Sequence, residues 1–144
     1  MPYRRVAANS AGMDAPGALI ERFYEAIDGD DVPTIIAFFA DDAVVSYPAD
    51  GTLPYGGSWQ GPDAIGRFLD LHDETEEILA FEPATMAVDG SQVIVRGRFE
   101  GRSKATGRIW TTRWVHAFEV VDGRIQRWES YFDTAAALEA HRPR

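Results

Sequence analysis

Between residues 15 and 27 the apolar side chains Leu19, Ile20, Phe23, Tyr24 and Ile27 recur at helical spacing, and Asp28-Gly29-Asp30 stops the pattern, so a first helix is expected there. Asp31 can cap a short second helix, expected with Pro33 in its first turn and Ile35, Ile36, Phe38 and Phe39 on its apolar side. A brief strand follows over 43–47. Residues 48–62 hold four glycines and three prolines together with Tyr55 and Trp59, which reads as a long aromatic loop of the kind that forms a rim or lid. Gly61-Pro62 opens a third helix with Ala64, Ile65, Phe68, Leu69 and His72 on one face, ahead of the acidic run 73–77. Two strands are expected at 81–88 and 92–102, parted near Asp89-Gly90. In the second of them Val93, Val95, Gly97 and Phe99 alternate with Arg96, Arg98, Glu100 and Arg102.

Residues 114–121 and 124–132 are rich in β-branched and aromatic types and flank Asp122-Gly123, the dipeptide suited to a two-residue type I′ turn. With that turn and no bulge, Val121 faces Arg124, Val120 faces Ile125, Phe118 faces Arg127, His116 faces Glu129 and Trp114 faces Tyr131. Cross-strand partners share a face at roughly 4.5 to 5.5 Å between Cβ atoms. One face then carries Trp114, His116, Phe118, Val120, Ile125, Glu129 and Tyr131, an apolar wall holding an imidazole opposite a carboxyl group. A bulge would shift the register by one residue and separate that pair.

A terminal helix is expected over 134–141. The order helix, helix, short strand, helix and then four long antiparallel strands implies an α+β fold, a curved, mainly antiparallel sheet wrapped around three N-terminal helices. Curvature leaves room for a small-molecule pocket.

The 144 residues, 45% of them hydrophobic, suffice for one domain, expected over 14–140, with residues 1–13 as a tail. A net charge of −9 disfavours nucleic acid and anionic lipid as partners. The absence of cysteine excludes disulfides, thiol catalysis and zinc–thiolate sites. No apolar run approaches the roughly 20 residues of a membrane span, and the first dozen residues lack the apolar core of a signal peptide, so a cytoplasmic protein is expected. His72, His116 and His141 have no metal-ligand spacing, and no metal is expected.

The segments IERFYEAIDGDDVPTIIAFFADDAVVSYP, WQGPDAIGRFL and WVHAFEVVDGRIQRWESYFDTAAAL resemble the nuclear transport factor 2-like superfamily, in its SnoaL-like polyketide cyclase branch, over roughly residues 14–138. The resemblance implies a cone-shaped α+β barrel, a homodimer packed through the outer sheet face, and a cavity that needs neither metal nor organic cofactor. The superfamily holds isomerases, epoxide hydrolases, cyclases, dehydratases and non-catalytic modules. Tyr47 stands where ketosteroid isomerases carry an aspartate base, and Arg22 rather than Tyr24 falls near their first-helix tyrosine. Their oxyanion-hole acid aligns with His116. Trp114 falls where the epoxide hydrolases of the fold carry arginine. SnoaL-like cyclases use a polar acid/base group at about the His116 position.

These readings imply a cofactor-independent acid/base enzyme, a cyclase or isomerase acting on a hydrophobic, carbonyl-bearing ring compound. His116 is the expected general acid/base, Glu129 its orienter, and Tyr47 a hydrogen-bond donor to substrate oxygen. Trp59, Trp114 and Tyr131 suit a flat ligand by stacking, and Tyr24, His72 and Phe118 complete the expected substrate-binding set. The alternative is a non-catalytic small-ligand-binding or dimerisation module.

Overall fold

The computed structural model describes residues 15–29 and 31–143; the expected tail over 1–13 and Asp30 of the first helix stop lie outside them. Helix α1 (Ala15–Gly29) and the one-turn α2 (Val32–Ile36) lead into β1 (Phe39–Tyr47) and β2 (Gly57–Gln60). Helix α3 (Gly61–Thr75) follows, then the long strands β3 (Glu76–Asp89), β4 (Gln92–Ser103), β5 (Ile109–Val121) and β6 (Arg124–Phe132), and finally α4 (Thr134–His141). The six strands form one curved, unclosed sheet in the order β2-β1-β6-β5-β4-β3. Among the described residues only the β1–β6 pairing is parallel. The α+β architecture expected from the residue pattern is therefore present.

Strand alternation decides which side chains meet the helices. On β4 and β5 the inward set is Val93, Val95, Gly97 and Phe99 and Trp110, Thr112, Trp114, His116 and Phe118, all buried. Helix α1 lays Leu19, Ile20, Phe23 and Tyr24 on this face. The Phe23 ring is the hub, with edge contacts to Phe39, Phe118 and Trp128 at centroid distances of 5.5, 5.8 and 5.3 Å. Gly97 is required by packing: a Cβ there would lie 2.3 Å from the Trp114 ring and 2.6 Å from the Glu82 carbonyl oxygen.

Three local expectations change. The second helix stops at Ile36, and Phe39 begins β1 instead, where Phe39, Ala43 and Val45 are buried and the pairing with β6 shifts register between Phe39 and Val44. The loop expected over 48–62 contains β2, which pairs antiparallel with β1 and sets Trp59 opposite Val45. The rest of that loop winds on itself through Leu53 N–H to Ala49 O and Gly56 N–H to Leu53 O, burying Leu53 and Tyr55. The acidic run is split: α3 extends to Thr75, and Glu76 opens β3 as a buried residue. No helix among the described residues is long and apolar enough to cross a membrane.

Candidate functional site

The β5–β6 hairpin places the central histidine. Asp122 and Gly123 both adopt positive φ, 51° and 75°, as a type I′ turn requires, and Val121 pairs with Arg124 and Val120 with Ile125 as the spacing predicts. Beyond that point a bulge at Gln126 slips the register, so that Glu119 pairs with Arg127, Phe118 with Trp128, His116 with Ser130 and Trp114 with Phe132. The extra residue is anchored by its own side chain, the Gln126 amide donating to Asp42 Oδ1 at 2.9 Å. The physical gain is plain: without the bulge Arg127 would face inward opposite Phe118 and Trp128 would face solvent. With it, Trp128 is 3% exposed.

The same slip separates the expected His116–Glu129 pair. Glu129 lies on the outer face opposite Ala117, where its carboxyl group accepts a hydrogen bond from Tyr131 O–H at 3.3 Å. Tyr131 is 55% exposed there, away from any ring stacking inside. His116 is held instead from the helix layer: its Nδ1 lies 2.9 Å from the hydroxyl of the fully buried Tyr24.

Between helices and sheet is a cavity of about 120 Å³. A cavity of about 150 Å³ admits benzene, so this smaller one limits a fully enclosed ligand to no more than a single ring. Tyr47, His72, Trp114 and His116 line it, as do Tyr55, Phe68, Trp110, Thr112, Trp128 and Ser130. Its more exposed wall is the end of α3, with Leu69, His72 and Asp73. Of the other expected residues, Tyr24 stands behind His116 and Phe118 packs in the core against Trp128. Trp59 donates its indole N–H to Tyr55 O at 3.1 Å beside Phe68 and does not line the cavity. Trp114 is stacked between Phe81 and His116, with centroid distances of 4.9 and 4.1 Å.

A second polar cluster, not anticipated from the residue pattern, adjoins the cavity. The Glu76 carboxyl group, 1% exposed, accepts from Tyr55 O–H at 2.8 Å and from Trp110 Nε1–H at 3.0 Å. His141 Nε2 of α4 lies 3.0 Å from the same group, close enough for an ion pair though not aligned for a hydrogen bond. Its Nδ1 meets Ser103 Oγ at 2.8 Å. Strand period does not signal it: counted back in twos from Phe81 the inward residue would be Glu77, and a register shift between Ile78 and Ala80 turns Glu76 inward instead, beside Ser103, its partner on β4.

Burial governs the protonation of this wall. Desolvation, with a smaller contribution from the like charge of His72, lowers the His116 pKa from 6.5 to about 3, so the ring is neutral at physiological pH. His72 is also lowered by burial, opposed by the carboxylates of Glu76 and Asp73. Burial raises the Tyr47 pKa, partly offset by the Ser130 hydroxyl, which keeps the phenol protonated. Stability follows in sign. The unfolded chain protonates His116 near 6.5 and the folded chain only near 3, so the unfolded state binds more protons in that window. Stability is expected to fall on acidification below about pH 6.5, by up to about 1.4 kcal/mol per pH unit from this group. Thermal unfolding between pH 7 and 5 checks this, and a His116→Phe chain should show a shallower dependence.

The sequence matches the family model of the SnoaL-like domain over residues 20–128. No curated protein sequence matches the chain. Among solved structures, an NTF2-like protein from Burkholderia xenovorans LB400 is similar with a TM-score of 0.82 and 27% identity, over 91% of this chain and 100% of its own. An NTF2-like protein of unknown function from Burkholderia pseudomallei K96243 is equally similar, with a TM-score of 0.82, 27% identity and coverage of 91% and 100%. TerC, co-crystallised with polyporic acid, has a TM-score of 0.80 at 25% identity, over 89% of this chain and 98% of TerC.

Proposed function

The chain belongs to the SnoaL-like domain family of the nuclear transport factor 2-like superfamily, and from that premise we propose that it is a cofactor-independent isomerase or cyclase acting on a carbonyl-bearing ring compound. The observation that carries this reading is the buried Tyr24–His116 hydrogen bond at the wall of an aromatic cavity. A phenol is a good donor and an imidazole nitrogen a good acceptor, so we assign the Tyr24 proton to the bond with Nδ1 and the ring's own proton to Nε2. Neutral His116 then offers Nε2–H to the cavity, and Tyr47 offers a phenolic O–H.

Both donors suit a carbonyl oxygen that gains negative charge as a neighbouring C–H proton leaves. In a dry site each such donor is worth about 10²- to 10³-fold in rate. His116 thus takes the acid half of acid/base catalysis, with Tyr24 in the orienting role expected of Glu129. TerC, similar in fold, was co-crystallised with polyporic acid, which supports a small-molecule ligand here. The reading takes residues 14–140 as one domain of a cytoplasmic homodimer, joined through the outer sheet face where Ile94 and Tyr131 are exposed.

The test is conversion of a β,γ-unsaturated cyclohexenone, a single ring matched to the cavity, into its conjugated isomer, followed by ultraviolet absorbance. Acceleration above the buffer rate is expected. Saturable tryptophan quenching without any conversion would replace the enzyme with a ligand-binding module.

A further inference from the structure

Proton abstraction needs a base, and His116 is poorly suited to it: its Nδ1 is engaged by Tyr24, and burial with no compensating carboxylate disfavours an imidazolium there. The cavity holds a second imidazole. His72 sits in the last turn of α3, whose C-terminal dipole favours a cation, and its side chain makes no hydrogen bond among the described residues. Its ring packs 4.5 Å from that of Tyr55, and Tyr55 is fixed in turn by its bond to Glu76. Glu76 also closes α3, donating its backbone N–H to His72 O.

We propose that His72 is the base that takes the carbon-bound proton of the substrate, with Tyr55 and Glu76 as positioning residues that hold its ring at the cavity wall. The proposal rests on the ring-compound reading above and assigns the half of the chemistry that reading leaves open. The C–H bond breaks toward a His72 nitrogen, and its electron pair moves through the ring to the carbonyl oxygen, held by His116 Nε2–H and Tyr47 O–H. His72 then returns the same proton to a different ring carbon as the pair flows back from oxygen. No other reactant is consumed.

The charged and titratable groups around His72 fit this division. Glu76 on β3 and Asp73 on α3 favour the imidazolium that abstraction creates, while His141 on α4 and burial oppose it. Tyr55 and Tyr47 contribute neutral phenol rings, and His116 on β5 is itself neutral. Both imidazoles are lowered by burial, but His72 has the carboxylates of Glu76 and Asp73 beside it to favour its cation, and His116 has no such partner among the described residues.

The experiment compares the full chain with His72→Gln and His72→Ala on the β,γ-unsaturated cyclohexenone. The native enzyme should lose kcat on acidification as its base becomes protonated. His72→Gln should lower kcat at least about 100-fold with KM changed by less than about threefold, and should abolish that acid limb. Added imidazole should restore part of the turnover of His72→Ala, which a purely structural role would not allow. An unchanged kcat, or an acid limb that persists in His72→Gln, overturns the assignment while the isomerase reading stands. A native enzyme that converts none of the probe overturns that reading, and the inference with it.

Discussion

His116→Phe is expected to lower turnover of the cyclohexenone probe by about 10²-fold or more while the chain still folds. Phenylalanine keeps a ring between Trp114 and Trp128, whose centroids lie 4.1 and 5.2 Å from that of His116, but removes the Nε2–H donor. The loss should fall on kcat, because the donor bonds most strongly to the oxygen that carries charge only in the transition state. Losing the hydrogen bond to Tyr24 should cost about 1 kcal/mol, visible as a small drop in Tm. Undiminished turnover, with a native circular dichroism spectrum, would remove His116 from the chemistry.

The largest effect on stability is expected from Glu76→Ala, on the order of 3 to 5 kcal/mol. The substitution strips the acceptor from two buried donors, Tyr55 O–H and Trp110 Nε1–H, and removes the carboxyl group beside His141. For a chain of this size a loss of about 3 kcal/mol corresponds to a Tm lowered by on the order of 10 °C. Glu76→Gln retains an acceptor oxygen and the side chain's shape, so it should cost distinctly less. Thermal unfolding of the two variants side by side measures the difference. Equal and small losses would mean that the cluster is surplus to the fold.

Much of the architecture is legible in the sequence because burial enforces a period. The helical spacing of Leu19, Ile20, Phe23 and Tyr24 and the alternation along β4 each put one side into the core, and both survive intact. The turn at Asp122-Gly123 is equally legible, since few other dipeptides accept positive φ at both positions. What local pattern does not reveal is the bulge four residues later. Gln126 is a polar residue in a strand, and nothing near it in sequence discloses that Asp42, on the neighbouring β1, holds it out of register.

That single slip decides the candidate site. It turns Glu129 and Tyr131 outward and brings Trp128 and Ser130 in, so the histidine is legible from the residue pattern and its partner is not. The burial contrast between Arg127 and Trp128 carries the clue, because a charged side chain opposite Phe118 is the costlier arrangement. The partner comes from α1, where Tyr24 is legible as an inward residue but the geometry that sets it 2.9 Å from His116 belongs to helix–sheet packing. Glu76 is hidden for a similar reason. In the acidic run 73–77, alternation back from Phe81 points to Glu77, and the register shift between Ile78 and Ala80 buries Glu76 instead.

The most direct test of the central claim is nitrogen-15 NMR of the histidine side chains across about pH 5 to 8, a range that spans ordinary imidazole titration. His116, identified by the signal lost in His116→Phe, is expected to stay neutral throughout, with its proton on Nε2 and a bare Nδ1 accepting from Tyr24. A His116 ring that takes up a second proton within that range, or that carries its single proton on Nδ1, would contradict it.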